Sequence, residues 1–450
     1  MTVLLKRIAQ FASVLLLAMP ALAAAPDAVR MEEIIQSYAK SGQFMGSVLV
    51  WKDGQTLIDK GYGYANLEWQ VTNAPDSKFR IGSMTKQFTA VAILLLQERG
   101  KLAITDPVRK YIPDAPAAWD KITLYHLLTH TSGIPNFTDL PDHQERARNP
   151  VTPAEELAWF KDKPLNFPPG TKWNYSNSGY SVLGMVIEKA SGLSYQQFLT
   201  DNFFTPLGMK NTGYDSNKTV IANHAYGYAP GKDGVEVAAY NDMTVPYAAG
   251  ALYSTTHDIL IWDQALFGGK VLKPASLKTM MKPFLDDYGC GFWIKKAGGH
   301  TDVTHAGGIN GFNTDGHYLP DDKLAVVVMA NLNGPAAGEV AEKMVKVALG
   351  EPVVLASERK EVAIDPAGFD ALAGIYQIAP KFSLTFSRDG GSFYVQGTGQ
   401  PRVEIFPLGP REFFAKVVDA VMRFEVDANG RGTKVILHQG GRDMPGPRVN

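Results

Sequence analysis

Strand-like segments bracket a long helical stretch in this 450-residue chain, and that bracketing leaves few folds open. GSVLVWK and TLIDKGYGYAN lie near the N-terminus, separated by Asp53-Gly54, a hairpin signal. Strand signals return in YGCGFWIKK, TDVTHAGG, NTDGHYLP and KLAVVVMANL, with Gly298-Gly299 as a turn. Residues 105–245 read mostly as helices and loops, punctuated by Pro, Gly, Ser and Thr. A sheet that draws strands from both sides of such a region closes late in the chain, an α+β arrangement.

Two amphipathic segments flank these strands. In VRMEEIIQSYAKSG, Met31, Ile34, Ile35 and Tyr38 share one face, opposite Glu33, Gln36, Ser37 and Lys40. A last helix, AAGEVAEKMVKVAL, follows the final strand signal. After EPVVLASERKEVAIDP the texture changes to short strand-like runs: SLTFS, SFYVQG, VEIFPL, EFFAKV, MRFEVD and KVILHQ. Hairpin signals at Asp389-Gly390-Gly391 and Asn429-Gly430 interrupt them. The reading is residues 26–350 as one α+β domain, 351–364 as a linker and 365–450 as a small antiparallel β domain.

The first 25 residues read as an export signal: a cationic start, the apolar core IAQFASVLLLAMP and an Ala21-Leu22-Ala23 cleavage site. The core is short for a membrane span, so the mature protein is expected in the periplasm or outside the cell, with no stable span. The net charge is −1, and there is no basic run or nucleic-acid motif, which argues against nucleic acid as a partner. Cys290 is the only cysteine, so no intrachain disulfide can form. Its strand-like setting reads as a buried small side chain.

The spacing Ser-x-x-Lys serves several serine acyl-transfer enzymes, but it occurs here three times. Ser37 and Lys40 lie on the polar face of a terminal helix, and Ser357 and Lys360 lie in the linker. Only Ser83 and Lys86 open a helix, FRIGSMTKQFTAVAILLLQERG, that is apolar on nearly all sides and therefore buried. Lys86 falls one turn along on the same side as Ser83. The helix start and the lysine supply positive potential, and the Ser83 N–H is free to meet an oxyanion.

Two further motifs complete a site. Tyr175-Ser176-Asn177 precedes a helix from about Ser178 to Ala190. The expectation is a Tyr175 base, its pKa drawn down by the Lys86 ammonium, and an Asn177 amide that contacts substrate and lysine. Tyr64-Ala65-Asn66 has the same spacing but ends a strand-like run. His305-Ala306-Gly307-Gly308 supplies a strand edge where glycines admit substrate backbone and Gly308 offers a second oxyanion donor. His305 can bind a carboxylate if charged, or hydrogen-bond if neutral. The rival Lys296-Ala297-Gly298 runs into a turn, and His438-Gln439-Gly440 lies in the terminal β domain. His126 and His130 have metal-ligand spacing without a third ligand, and read as structural. Asp302, Asp315, Asp321 and Asp322 read as turn and surface residues.

In this order the motifs resemble the serine β-lactamase-related family: class C β-lactamases, D,D-carboxypeptidases, D-aminopeptidases and some carboxylesterases. Further segments carry the likeness over residues 30–347, among them LYHLLTHTSGIP, FPPGTKWNYSNSGYSVLGMVIEKASG, TPLGMKNTGYD and HAGGINGFNTDGHYLPDDKLAVVVMANLNG. Residues 365–450 are similar to the lipocalin-like domain appended to some members. The resemblance implies a penicillin-binding-protein-like fold, an antiparallel sheet flanked by helices plus a helical lobe, followed by a β-barrel-like domain.

It also implies Ser83 as acylated nucleophile, Lys86 as its activator, Tyr175 as general base, and Asn177, His305, Gly307 and Gly308 as substrate-binding residues. No cofactor or metal is called for. His305 stands where many members have lysine for a β-lactam carboxylate, which shifts the expectation toward peptides, amides or esters. The leading expectation is an exported hydrolase of peptides or amides containing D-amino acids. A carboxylesterase, a weak β-lactamase and a catalytically silent cell-wall-peptide binder are the alternatives.

Overall fold

Six antiparallel strands form one sheet in the order Trp293–Ala297, His300–Ile309, Phe312–Leu319, Leu324–Ala330, Gly46–Lys52 and Gln55–Tyr62. In this computed structural model residues 27–439 and 442–449 are described, so the export signal read at residues 1–25 lies outside the described residues. Leu324–Ala330 joins the two halves of the sheet, pairing Val328 with Val48 on one side and with Asp315 on the other. Every residue of that strand is buried. Leu324, Val326 and Val328 face the terminal helices Ala28–Lys40 and Ala336–Ala348, while Val327 and Met329 face the helical lobe. A strand covered on both faces has no polar alternation, hence the continuous apolar run in its sequence.

The lobe is built around Thr85–Glu98 and Asn177–Ser191, which pack against each other. Phe88, Val91, Ile93 and Leu94 are fully buried, as the all-round apolar pattern requires. Asn177–Ser191 starts at Ser176, whose hydroxyl accepts from Gly179 N, and stops at Gly192 in the left-handed region, φ 76°. The expected α+β class is the one observed.

Residues beyond the linker form eight antiparallel strands in sequence order, from Gly374–Ala379 to Arg442–Pro447. Val449 N donates to Ile375 O, and Tyr376 bridges to Arg448, so the sheet nearly closes on itself. Sequence reading missed its first and last strands. GIYQIA lies beside a polar linker, and RDMPGP carries two prolines that mask an edge strand. Arg359 and Lys343 both pair with Asp419, tying this barrel to the linker and to the last helix of the first domain. Among the described residues no helix is long and apolar enough to cross a membrane.

Candidate active site

Ser83 sits in a single 3-10 turn, Gly82–Met84, just before the buried α-helix Thr85–Glu98. The turn exists because Gly82 adopts φ 50°, a conformation that costs a side chain dearly. It also lies against the open strand: a Cβ on Gly82 would stand 2.9 Å from Gly308 N, and one on Gly307 would stand 2.0 Å from Ile81 O. Glycine at 82 and at 307 thus lets the Ser83 turn and the strand backbone touch. Trp293–Ala297 stops opposite Thr304, so His305–Gly308 has no strand partner on that side. That free edge is one wall of a cleft of about 1120 Å³ lined by Ser83, Tyr175, His305, Gly307 and Gly308.

Lys86 is fully buried, with its Nζ 2.9 Å from Ser83 Oγ, 2.8 Å from Asn177 Oδ1 and 2.8 Å from Ala249 O. No carboxylate pairs with it among the described residues, and burial pushes its pKa well below the usual lysine value. Two of the three neighbours can only accept. When deprotonated, the amine can donate to Asn177 Oδ1 and Ala249 O and turn its lone pair to the Ser83 hydroxyl.

Burial also reverses the expectation for Tyr175. With its phenol almost wholly enclosed, its pKa is raised, and the interaction with Ser83 offsets only part of that. A phenol whose pKa is raised by burial is protonated in the resting site, where it can donate a hydrogen bond. Its ring lies 4.7 Å from Lys86 Nζ, 4.4 Å from the His130 ring and parallel to Trp293 at 6.3 Å.

His305 is brought to the cleft but not as a cation. Burial, then the nearby Lys86, lowers its pKa to about 3. Lys296 points away and meets Thr301 Oγ1. Ser37 donates to Ile34 O in its helix, Ser357 lies in the linker turn Ala356–Glu358, and Tyr64-Ala65-Asn66 is itself a short edge strand. His438 pairs with Asp443 on the barrel surface, although the neighbouring Gln439 and Met444 line the cleft.

The sequence reading missed several site residues. His126 is a capping residue that accepts from Thr123 N, as a structural role requires. His130, by contrast, is buried under Tyr175, and its Nδ1 accepts from Ser176 N of the tyrosine loop. Tyr288, Trp173 and Trp293 complete an aromatic wall. Only the aromatic density of KWNY and YGCGFW signalled them. Asp302, expected as a turn or surface residue, is buried 2.8 Å from His317 Nδ1, and Asp315 is half-buried 3.5 Å from Nε2 of the same ring. Among the described residues no group of His, Cys, Asp and Glu is placed to hold a metal ion.

A helical lobe on an antiparallel sheet, with a Ser-x-x-Lys turn facing a Tyr-x-Asn loop and a free strand edge, is the fold of serine β-lactamases and penicillin-binding proteins. The chain belongs to the Beta-lactamase family, whose model matches residues 31–350. It is 26% identical to penicillin-binding protein 4* of Bacillus subtilis over 92% of this chain and 97% of that protein. The octameric penicillin-binding protein homologue from Pyrococcus abyssi superposes with a TM-score of 0.67 at 26% identity, over 93% of this chain and all of that one. The D-amino acid amidase from Ochrobactrum anthropi gives 0.63 at 25%, over 71% of this chain and 98% of the amidase.

Proposed function

We propose that the protein is an exported serine hydrolase that forms an acyl-enzyme on Ser83 and cleaves amides or peptides of D-amino acids. The observation that carries this is the buried, unpaired Lys86 amine 2.9 Å from Ser83 Oγ. Lys86 takes the hydroxyl proton as Oγ attacks the carbonyl, so no separate base is needed. The N–H groups of Ser83 and Gly308 receive the oxyanion. Tyr175, kept neutral by burial, hands a proton to the leaving nitrogen and regains it from the Lys86 ammonium. Water then hydrolyses the ester by the reverse use of the same groups. Asn177 holds the lysine with its carbonyl end, which leaves its amide N–H for substrate.

The electrostatics favour an amine-bearing amide over a carboxylate-bearing substrate. His305 is neutral, and the charged lining of the cleft is mostly acidic: Asp286, Asp287, Asp315, Glu339 and Glu342 against Lys295 and His317. An acidic cleft attracts an ammonium group and repels a terminal carboxylate. The similarity to a D-amino acid amidase supports the same reading. Export is supported by the cationic start, apolar core and cleavage site of residues 1–25.

The test is to label the purified protein with a fluorophosphonate and locate the adduct by mass spectrometry, in parallel with Ser83→Ala. An adduct on another serine overturns the assignment, and none with any acylating probe leaves a silent binding protein. A panel of D-amino acid amides, D-Ala-D-Ala peptides, p-nitrophenyl esters and nitrocefin then ranks substrates. Amides are expected first; esters alone would make it a carboxylesterase.

A further inference from the structure

His130 follows the helix Leu124–Leu128 in the left-handed region, φ 56°. Its N–H donates to Leu127 O at 3.3 Å, and Thr131 N donates to His126 O at 2.8 Å. These two bonds close a helix end of the Schellman type, and His130 stands where glycine is usual because a side chain is strained there. The imidazole is buried against three aromatic rings, Tyr175 at 4.4 Å, Tyr288 at 4.8 Å and Tyr180 at 5.1 Å between centroids. Nδ1 accepts from Ser176 N, so the proton of the neutral ring is on Nε2, which is buried with no hydrogen-bond partner among the described residues. Glycine would remove both the strain and the orphaned donor. A backbone outlier that local structure does not call for points to function.

The histidine holds both residues that flank Tyr175. Its carbonyl oxygen accepts from Asn174 N at 3.0 Å, and its Nδ1 accepts from Ser176 N at 3.1 Å. Between these two bonds its ring packs on the Tyr175 ring, inclined by 41°. Glycine would keep the first contact and lose the other two. His130 is buried and is not among the residues lining the cleft, so its influence on substrate passes through the tyrosine.

We infer that His130 is a positioning residue for proton delivery: it clamps residues 174–176 so that the Tyr175 hydroxyl meets the leaving nitrogen. The inference rests on the reading of Tyr175 as the acid that serves the leaving group. When the tetrahedral intermediate collapses, the C–N bond breaks, its electron pair stays on nitrogen, and the Tyr175 proton joins it. An activated ester makes no such demand, because p-nitrophenolate leaves without a proton. A loose tyrosine therefore harms amides and spares activated esters, whereas a general weakening of the fold harms both.

The experiment uses the full chain and compares kcat/KM for a D-amino acid anilide with that for the p-nitrophenyl ester of the same acyl group. His130→Gly keeps the left-handed turn, and it should lower kcat/KM about 10²-fold on the anilide and no more than about threefold on the ester. Fluorophosphonate labelling of Ser83 should be unchanged. His130→Asn tolerates the same backbone and places Oδ1 where Nδ1 was, so it should recover about tenfold or more of the anilide loss. Tyr175→Phe should show the same anilide-selective loss, and adding His130→Gly to it should lower anilide turnover by no more than about twofold further.

Equal losses on both substrates in His130→Gly, or no loss on the anilide, would overturn the inference and leave the reading of Tyr175 standing. An asparagine variant no better than the glycine one would do the same, since the Ser176 bond would then be idle. If Tyr175→Phe shows no anilide-selective loss, the reading of Tyr175 fails and this inference falls with it. If His130→Gly does not fold, nitrogen NMR of the unmodified protein decides: the His130 ring should carry its proton on Nε2, and a proton on Nδ1 would overturn the clamp.

Discussion

The Tyr288 hydroxyl lies 3.2 Å from Nε2 of His305, while Nδ1 of the same ring lies 2.6 Å from the Ala306 carbonyl oxygen. A carbonyl only accepts, so Nδ1 carries the proton and Nε2 accepts from the tyrosine. Both ring nitrogens are satisfied within the protein. With its pKa held at about 3 by burial, the ring offers no charge to a substrate at physiological pH.

His305→Gln should therefore change kcat/KM by a similar factor for carboxylate-bearing peptides and for neutral esters, about tenfold or less. The pH profile of the unmodified protein should show no limb from this residue between about pH 5 and pH 8. Kinetics on the two substrate classes check this, and a selective loss on carboxylates would show that the ring is charged when substrate binds.

Replacing Lys86 tests the base. Lys86→Arg and Lys86→Met should each lower kcat/KM by about 10²–10⁴-fold, because guanidinium cannot be neutral and a thioether cannot take a proton. The rate of fluorophosphonate labelling should fall in parallel. Near-normal activity in the arginine variant would mean the side chain acts only by charge.

Asn177→Asp puts a carboxylate where Lys86 Nζ now has an amide oxygen at 2.8 Å. An adjacent negative charge favours the ammonium and raises the lysine pKa. The base is active only when deprotonated, so the acidic limb of kcat/KM should move to higher pH. Once the limb lies above pH 7, activity at that pH should fall about tenfold for every further pH unit it moves. An unmoved limb would assign it to another group.

Gly307→Ala would place a methyl 2.0 Å from Ile81 O, which is backbone and cannot swing away. The strand edge must separate from the Ser83 turn, at a cost of about 1–3 kcal/mol in stability. The oxyanion donors move apart with it. Thermal unfolding should show the modest loss, and acylation kinetics a larger one.

His317 makes folding stability pH-dependent. Burial alone would lower its pKa, but Asp302 and Asp315 outweigh that and raise it to about 9. A raised histidine contributes stability that is complete below its unfolded pKa of about 6.5 and is lost as pH climbs through the folded value. His317→Gln should therefore cost a few kcal/mol near pH 6, and much less near pH 10, in paired thermal melts. An equal cost at both would show that the ring is neutral.

The sequence by itself determined most of the elements and singled out Ser83 as the candidate nucleophile. Two-residue alternation, the all-round apolar pattern of Thr85–Glu98 and glycine-marked turns report local backbone preference, so they survive without tertiary context. Ser83 stood apart from Ser37 and Ser357 for the same reason: only it begins a buried helix. The strands Gly374–Ala379 and Arg442–Pro447 were hidden because edge strands tolerate the prolines and polar neighbours that sequence patterns treat as breakers.

Protonation states were decided only in three dimensions. Lys86, Tyr175 and His305 have ordinary side chains in ordinary motifs, and burial among His130, Tyr288, Trp293 and Ala249, all distant from Ser83 in the chain, shifts all three toward their uncharged forms. The hold of His130 on the tyrosine loop likewise joins His130 to Ser176, which no local pattern links. Desolvation and long-range hydrogen bonds depend on neighbours in space, and no local stretch of sequence records who those neighbours are.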